Sequence, residues 1–245
     1  MRDARTRTRF FSLVELLVVI GIIAMLVALL LPALNKAKAT ARSIDCQGRL
    51  KQMTLGMTGY TIDNNDWYPF LNVGSGALAW QPGVDCFEAM DGYVFGNDSP
   101  GKQAERFYHC PSDTTAVSIM SYGVNEHRNG YSGAQDGIVD KSTTTVSGVE
   151  FIGQPCRTSQ VQDFAGTFLF ACYRNMFAFN AYWGSNGLNM DAPHDAWGWP
   201  MGLLHNNATN WGYCDGHAGW MRWQDSVGKG DHFGPKGIWT KTAGD

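Results

Sequence analysis

Hydrophobic residues are distributed along this chain in two different ways. From Leu16 to Leu34 they form an unbroken run of nineteen uncharged residues, long enough to cross a bilayer core of about 30 Å as a helix. Glu15 stands at the entrance to this run, Pro32 lies near its far end, and Arg2, Arg5, Arg7 and Arg9 precede it. Beyond Pro32 the pattern changes. Cys46, Leu50, Met53, Met57 and Tyr60 recur at spacings of four, three, four and three, the single apolar stripe of an amphipathic helix. Lys36, Lys38, Arg42, Arg49 and Lys51 fall largely outside the stripe. One helix is therefore expected over residues 11–61, about 76 Å long if unbroken. Its first half is suited to lipid, and its stripe to packing on a domain.

Asp63, Asn64, Asn65 and Asp66 end the periodicity with four short polar side chains that favour turns. The same oxygens suit a hard cation such as calcium, which makes Asp63 and Asp66 candidate metal ligands. After Pro69 short apolar runs alternate with glycine-rich turn signals, and β-rich or irregular structure is expected. Strands are expected at Val149–Ile152 and Gly166–Tyr173. Near the C-terminus, Asn210–Cys214 and His217–Trp223 read as strands joined by Asp215-Gly216, a favoured two-residue hairpin turn, which sets Cys214 opposite His217.

Phe11-Ser12-Leu13-Val14-Glu15 and the apolar run behind it resemble the N-terminal segment of type IV pilins and type II secretion pseudopilins. The resemblance implies that a prepilin peptidase removes the basic leader, residues 1–10, and that the new amine on Phe11 is methylated. It also makes Glu15 the retained glutamate and Pro32 the helix-kinking proline. Where that family has glycine before the cut, this chain carries Phe10. A second resemblance lies far downstream. His205, nine residues, then Asp215-Gly216 reproduces the H-X9-DG signature of a pilin-like family abundant in planctomycetes. Leu50-Lys51-Gln52, Asp66-Trp67-Tyr68-Pro69, His109-Cys110-Pro111-Ser112-Asp113 and Tyr122-Gly123-Val124-Asn125 resemble further pieces of it, in the same order. Membership implies an α+β fold, with a long N-terminal helix packed on a mainly antiparallel β-sheet domain over residues 62–245. It also implies a structural filament subunit, single-pass in the inner membrane with a periplasmic C-terminal domain or in an extracellular filament after assembly, whose partners are other pilin-like subunits and the secretion or pilus assembly machinery.

Charge sharpens this picture. Residues 1–10 and 11–61 carry +3 each, whereas residues 62–245 carry −9. An acidic body argues against a nucleic-acid partner, because phosphate affinity comes from clustered Lys and Arg. Positive charges flank the apolar run on both sides, so loop counting alone does not orient it. The six cysteines (Cys46, Cys86, Cys110, Cys156, Cys172 and Cys214) form an even set compatible with disulfides in an oxidising compartment. The alternative is six small buried thiols.

Signals for catalysis are thin. The chain has no GxSxG elbow, no GxxxxGK loop and no HExxH helix. His109 beside Cys110 invites a Cys–His pair but lacks a third member, and His194-Asp195 reads as a polar loop. For His205 and Asp215 the expected role is a turn with local hydrogen bonds, with metal ligation and catalysis as alternatives. The chain is therefore expected not to be an enzyme and to need no cofactor, calcium being the one candidate. Nine tryptophans, among them Trp197, Trp199, Trp211, Trp220 and Trp223, are expected in the core. The rival reading makes them a polysaccharide-binding surface on a membrane-anchored envelope protein.

The resemblance predicts a mature chain that begins at Phe11 and is N-methylated there. N-terminal sequencing and intact mass of the membrane-extracted protein check this, and a start at Met1, or after Ala39 or Ala41, contradicts it.

Overall fold

The computed structural model describes residues 12–69, 84–96, 102–114, 121–127, 138–140, 144–146, 149–151, 156–172, 179–180, 204–206 and 208–226. Helix α1 runs from Leu13 to Asp63 with Pro32 inside it, so the expected long helix is present and the proline does not end it. Its start is set by a reciprocal cap. The Ser12 amide donates to Glu15 Oε2 at 2.9 Å, and the Glu15 amide donates to Ser12 Oγ at 3.2 Å. This S-x-x-E capping box satisfies two amides that a helix start leaves without intrahelical partners.

The chain divides into two compact units, residues 1–41 and 42–245. In the first, the side chains of α1 from Leu13 to Leu34 are exposed throughout. The segment is long and apolar enough to cross a membrane. In the second, Cys46, Leu50, Met53 and Met57 are fully buried. The predicted stripe is thus the face of α1 that enters the core, except that Tyr60 at its end is only half-buried.

Asn64, Asn65 and Asp66 form the expected turn, with Asn65 and Asp66 in the left-handed region at φ 53° and 66°. Asp63 accepts from the Tyr93 hydroxyl at 2.8 Å. The turn delivers Trp67 to a bridge with Arg157, whose guanidinium carbon lies 4.4 Å from the indole centroid. Two helices follow that were not expected. They are α2, Val84–Phe95, and α3, Lys102–Phe107. In α2 the buried Cys86, Phe87 and Met90, with Val94 packed beside them, recur at three- and four-residue spacing. That helical period was legible but is short and lies among turn signals.

The sheet is built from β1 (Tyr122–His127), β5 (Phe168–Cys172), β7 (Thr209–Tyr213) and β8 (Ala218–Met221). Between β1 and β5 come β2 (Val139–Asp140), β3 (Thr144–Val146) and β4 (Val149–Phe151), and β6 (Phe179–Asn180) follows β5. The order β1-β5-β7-β8 is antiparallel throughout, while β2 and β6 pair with β1 in parallel. β3 and β4 form a separate two-stranded hairpin. The α+β class and the strands near Val149 and Phe168 match the sequence reading.

The C-terminal hairpin does not match its expected register. Gly212 pairs with Ala218, and the Tyr213 amide bonds the His217 carbonyl at 2.9 Å. His217 therefore lies opposite Tyr213, not Cys214, and their rings stack with centroids 4.1 Å apart. The loop is Cys214-Asp215-Gly216, three residues with Gly216 at φ 91°, because a glycine in that region completes a bulged turn. β8 ends at Met221, and Trp223 begins a short helix, α4 (Trp223–Ser226).

Helix α1 lies close on β7. A Cβ added at Gly212 would sit 3.1 Å from Thr54 Cγ2 and 3.3 Å from Leu50 Cβ. Asn210, fully buried, fixes the register of this contact. Its amide nitrogen donates to the Ser43 carbonyl at 3.0 Å, and its Oδ1 accepts from Gln47 Nε2 at 3.2 Å.

Two glycines on α1 separate helix propensity from packing. Among the described residues nothing lies within 4 Å of a Cβ built at Gly48, but one at Gly56 would meet Val94 Cγ2 at 2.6 Å. Gly48→Ala is expected to stabilise by about 1 kcal/mol through propensity alone. Gly56→Ala carries the same gain against an overpacking cost of about 1–3 kcal/mol, and should melt below Gly48→Ala. Thermal unfolding of the full chain in detergent gives the order.

Candidate functional site

Four elements converge on one point inside the second unit. Helix α1 supplies Cys46, the segment after α3 supplies Cys110, the last residue of β5 supplies Cys172, and the turn before β7 supplies His205. All four are buried, and their Sγ and ring-nitrogen atoms lie within 4.8 Å of one another. Cys110 Sγ is 3.3 Å from His205 Nε2.

Each side chain is held by local structure. Cys46 belongs to the buried stripe and lies three residues from Arg49. The Arg49 Nη1 donates to the carbonyls of Arg106, Phe107 and His109 at 2.7, 3.2 and 2.6 Å. A cation over the unpaired carbonyls at a helix C-terminus is favourable, and here it ties the Cys110 segment to α1. Cys110-Pro111-Ser112-Asp113 then closes a turn, with the Asp113 amide 2.9 Å from the Cys110 carbonyl. Pro111 presets the backbone at the second position of that turn. Asp113 accepts from the Ser121 hydroxyl at 2.8 Å, directly ahead of β1.

That turn aims two groups of Ser112 at the cluster. Its amide faces Cys110 Sγ at 3.4 Å, and its hydroxyl meets His205 Nδ1 at 3.3 Å. With Nδ1 engaged by Ser112, Nε2 is the nitrogen turned to the sulfurs. His205 is fixed through its backbone as well. Its amide bonds the Ala208 carbonyl at 3.2 Å, and its carbonyl accepts from Trp220 Nε1 at 2.9 Å. Asn206 beside it takes the left-handed region at φ 56°. Cys172 pairs with Tyr122 across β5 and β1, so the two side chains share one face. The Tyr122 hydroxyl is buried with no partner at hydrogen-bonding geometry among the described residues.

The sulfurs respond to one another. Burial opposes charge on Cys46, but hydrogen bonds with Cys110, Cys172 and His205 outweigh it and hold this thiol well below the ordinary cysteine range. A hydrogen bond with Cys172 lowers Cys110, but the interaction with Cys46 and burial raise it further. Burial and the same two neighbours push Cys172 up. The Tyr122 phenol is raised by burial and by Cys46, Cys172 and Cys110 around it.

The chain matches no family model, no curated protein and no solved structure. Its chemistry must be read from its own side chains. A nucleophilic cysteine needs access for its substrate, whereas Cys110 is 1% and His205 3% exposed. Three sulfurs and an imidazole nitrogen in a closed pocket are instead the donor set of a tetrahedral metal site.

His205 therefore joins cysteines rather than Asp215. The Asp215 carboxylate turns to its own hairpin and accepts from the His217 amide at 3.0 Å and from His217 Nδ1 at 2.6 Å. Of the readings for the H-X9-DG motif, the turn holds for Asp215 and Gly216. Local backbone bonding holds for His205 but is only part of its environment. Asp63, Asp66 and Asp215 do not join the one cluster of metal-ligating side chains found among the described residues. His109 is not the partner of Cys110 even though it is adjacent in sequence. The cysteines, expected as either disulfides or thiols, are all buried thiols. Cys156 and Cys214 lie apart from the cluster, around Tyr68. Trp211 is core, while Trp220 is half exposed and serves His205. Trp197, Trp199 and His194-Asp195 lie outside the described residues.

The hairpin turn supports the cluster at a distance and can be tested separately. Partial burial works against the Asp215 carboxylate, but the His217 amide and ring outweigh it and hold it below its ordinary range. A depressed carboxylate contributes stability above its unfolded-state pKa, and that contribution is lost as pH falls through the folded-state value. Asp215→Asn should therefore cost less than about 1 kcal/mol at neutral pH, since the pair is partly exposed. The difference from wild type should close below about pH 4. Gly216→Ala forces a side chain into the left-handed region and should cost about 1–2 kcal/mol at every pH. Denaturation of both variants between acid and neutral pH checks the contrast.

Proposed function

We propose that this chain is a membrane-anchored, pilin-like structural subunit of a type II secretion or type IV pilus-like filament. A prepilin peptidase processes it, and its globular unit lies on the periplasmic or extracellular side. The observation that carries the reading is α1 itself. Its residues Leu13 to Leu34 are exposed and present apolar side chains that no described residue covers, whereas the same helix from Cys46 onward is a core element. An apolar surface of that extent needs an apolar environment. Lipid supplies it for a resident subunit, and neighbouring helices supply it in a filament. The resemblance of FSLVE and of the H-X9-DG pieces to pilin-like proteins makes the filament the natural second environment.

Glu15 is where anchoring and assembly separate. One of its oxygens caps its own helix through the Ser12 amide, and processing before Phe11 leaves that cap intact. The carboxylate charge is still costly, about 2.5–3.5 kcal/mol at a bilayer centre and less near the interface. The Phe11 amine of an adjacent subunit would offset it and set the axial stagger of the stack.

Glu15→Val should remain inserted but assemble poorly. Glu15→Gln, which keeps the capping acceptor and loses the charge, should fall between. Ser12→Ala, which loses part of the cap and keeps the charge, should assemble close to wild type. The measure is the ratio of sheared or complex-associated protein to membrane-resident protein at matched expression. Assembly of Glu15→Val at the wild-type ratio would sink the pairing.

A further inference from the structure

We propose that Cys46, Cys110, Cys172 and His205 bind one zinc ion in a closed structural site that staples helix α1 to the sheet. The assignment does not depend on the filament reading, because it rests on residues within the second unit alone.

Geometry carries it. Ideal tetrahedral zinc bonds of about 2.3 Å to sulfur and 2.0–2.1 Å to nitrogen place neighbouring donors about 3.5–3.8 Å apart. The four donor atoms already lie within 4.8 Å of one another, and the Cys110–His205 pair is at 3.3 Å. Small side-chain rotations close the set, with no backbone rearrangement. Four protein ligands fill a tetrahedral shell and leave no open position, which is the mark of a structural centre rather than a catalytic one. A sulfur-rich set with one imidazole suits borderline-soft zinc and excludes hard cations such as calcium or magnesium, which take oxygen ligands.

The surroundings are those of a metal site as well. A ligating histidine is normally oriented by a hydrogen bond from its other nitrogen, and Ser112 Oγ meets His205 Nδ1 at 3.3 Å. That contact commits Nε2 to the sulfurs. Metal-bound thiolates need donors to disperse their charge. The Ser112 amide faces Cys110 Sγ, and the buried Tyr122 hydroxyl has no other partner among the described residues. A disulfide answers the arrangement less well. Joining any two of the three cysteines strands the third sulfur and the imidazole in the core.

The binding step balances simply. Zinc enters as a dication, each cysteine that is protonated releases its proton to solvent, and the neutral histidine gives up none. The site then carries three thiolates against two positive charges, one net negative charge in all, towards which the Ser112 amide points at Cys110 Sγ.

The test uses the untagged full chain in detergent, purified without added metal and dialysed against a weak chelator. Elemental analysis should find one zinc per chain. Replacement by cobalt should give thiolate charge-transfer bands and the intense visible bands of a tetrahedral ion. His205→Cys should keep one zinc and shift the cobalt bands towards an all-sulfur set. Ser112→Ala should bind zinc about 10–100-fold more weakly. Cys86→Ser, Cys156→Ser and Cys214→Ser should retain full occupancy. His205→Ala and Cys172→Ser should lose the ion. If either fails to fold, the His205→Cys spectrum and the occupancy of the three control variants decide. Less than a tenth of an equivalent of zinc in wild type, with an octahedral cobalt spectrum, would overturn the proposal. So would iron or copper in place of zinc, a disulfide among Cys46, Cys110 and Cys172 in non-reducing peptide maps, or unchanged cobalt bands in His205→Cys.

Discussion

The globular unit depends on the burial of one helical face. Cys46, Leu50, Met53 and Met57 lie on a single stripe of α1 and are wholly removed from solvent. Each large side chain of this kind contributes about 1.5–3 kcal/mol on burial. That driving force is not directional, so register must come from elsewhere. Asn210 provides it by bonding Ser43 and Gln47 across the helix–strand contact, and Arg49 provides it by gathering the carbonyls at the end of α3. An unmade bond at the buried Asn210 would cost more than the bond itself gains. The polar contacts therefore select one position along a stripe that apolar packing alone would leave free to slide.

The cysteine–histidine cluster sits where these constraints meet. Cys46 is one residue before Gln47 and three before Arg49, so the polar clamps that place the helix also place its sulfur. Cys110 follows the segment Arg49 holds, Cys172 ends the central strand β5, and His205 is anchored by Trp220 from β8. The short motifs scattered through the chain thus acquire separate physical jobs. Cys110-Pro111-Ser112-Asp113 is a turn that presents a thiol and its supporting hydroxyl. Tyr122 opens β1 opposite Cys172. Asp66-Trp67-Tyr68 leads the chain out of α1 towards the Cys156–Thr158 segment. Asp215-Gly216 closes the hairpin that carries Trp220 back to His205.

Helix α1 joins two kinds of surface in one element. Towards its N-terminus the side chains are apolar on every face, and towards its C-terminus only one face is. A helix that is hydrophobic all round belongs in lipid or in a bundle, whereas a striped one belongs on a domain. An anchored subunit of the kind proposed above would use both properties.

Local order was legible from residue order because its causes are local. The apolar run, the three-and-four spacing of the stripe, the polar turn at Asp63–Asp66 and the glycine in the Asp215 loop each act within one or two helical turns or one hairpin. Helix α2 carried a readable period at Cys86, Phe87, Met90 and Val94, but its surroundings of turn residues obscured it. The hairpin register was missed because one residue of loop length, decided by the bulge at Gly216, shifts every pairing beyond it. The cluster was not legible at all. Cys110 meets His205 and not the adjacent His109, while Cys46 and His205 are far apart in sequence and meet. Only the packing of α1 against β5 and β7 decides which sulfurs share a pocket. Spacing along a chain constrains contacts within a turn or a hairpin, and it says nothing of side chains brought together by the burial of a common core.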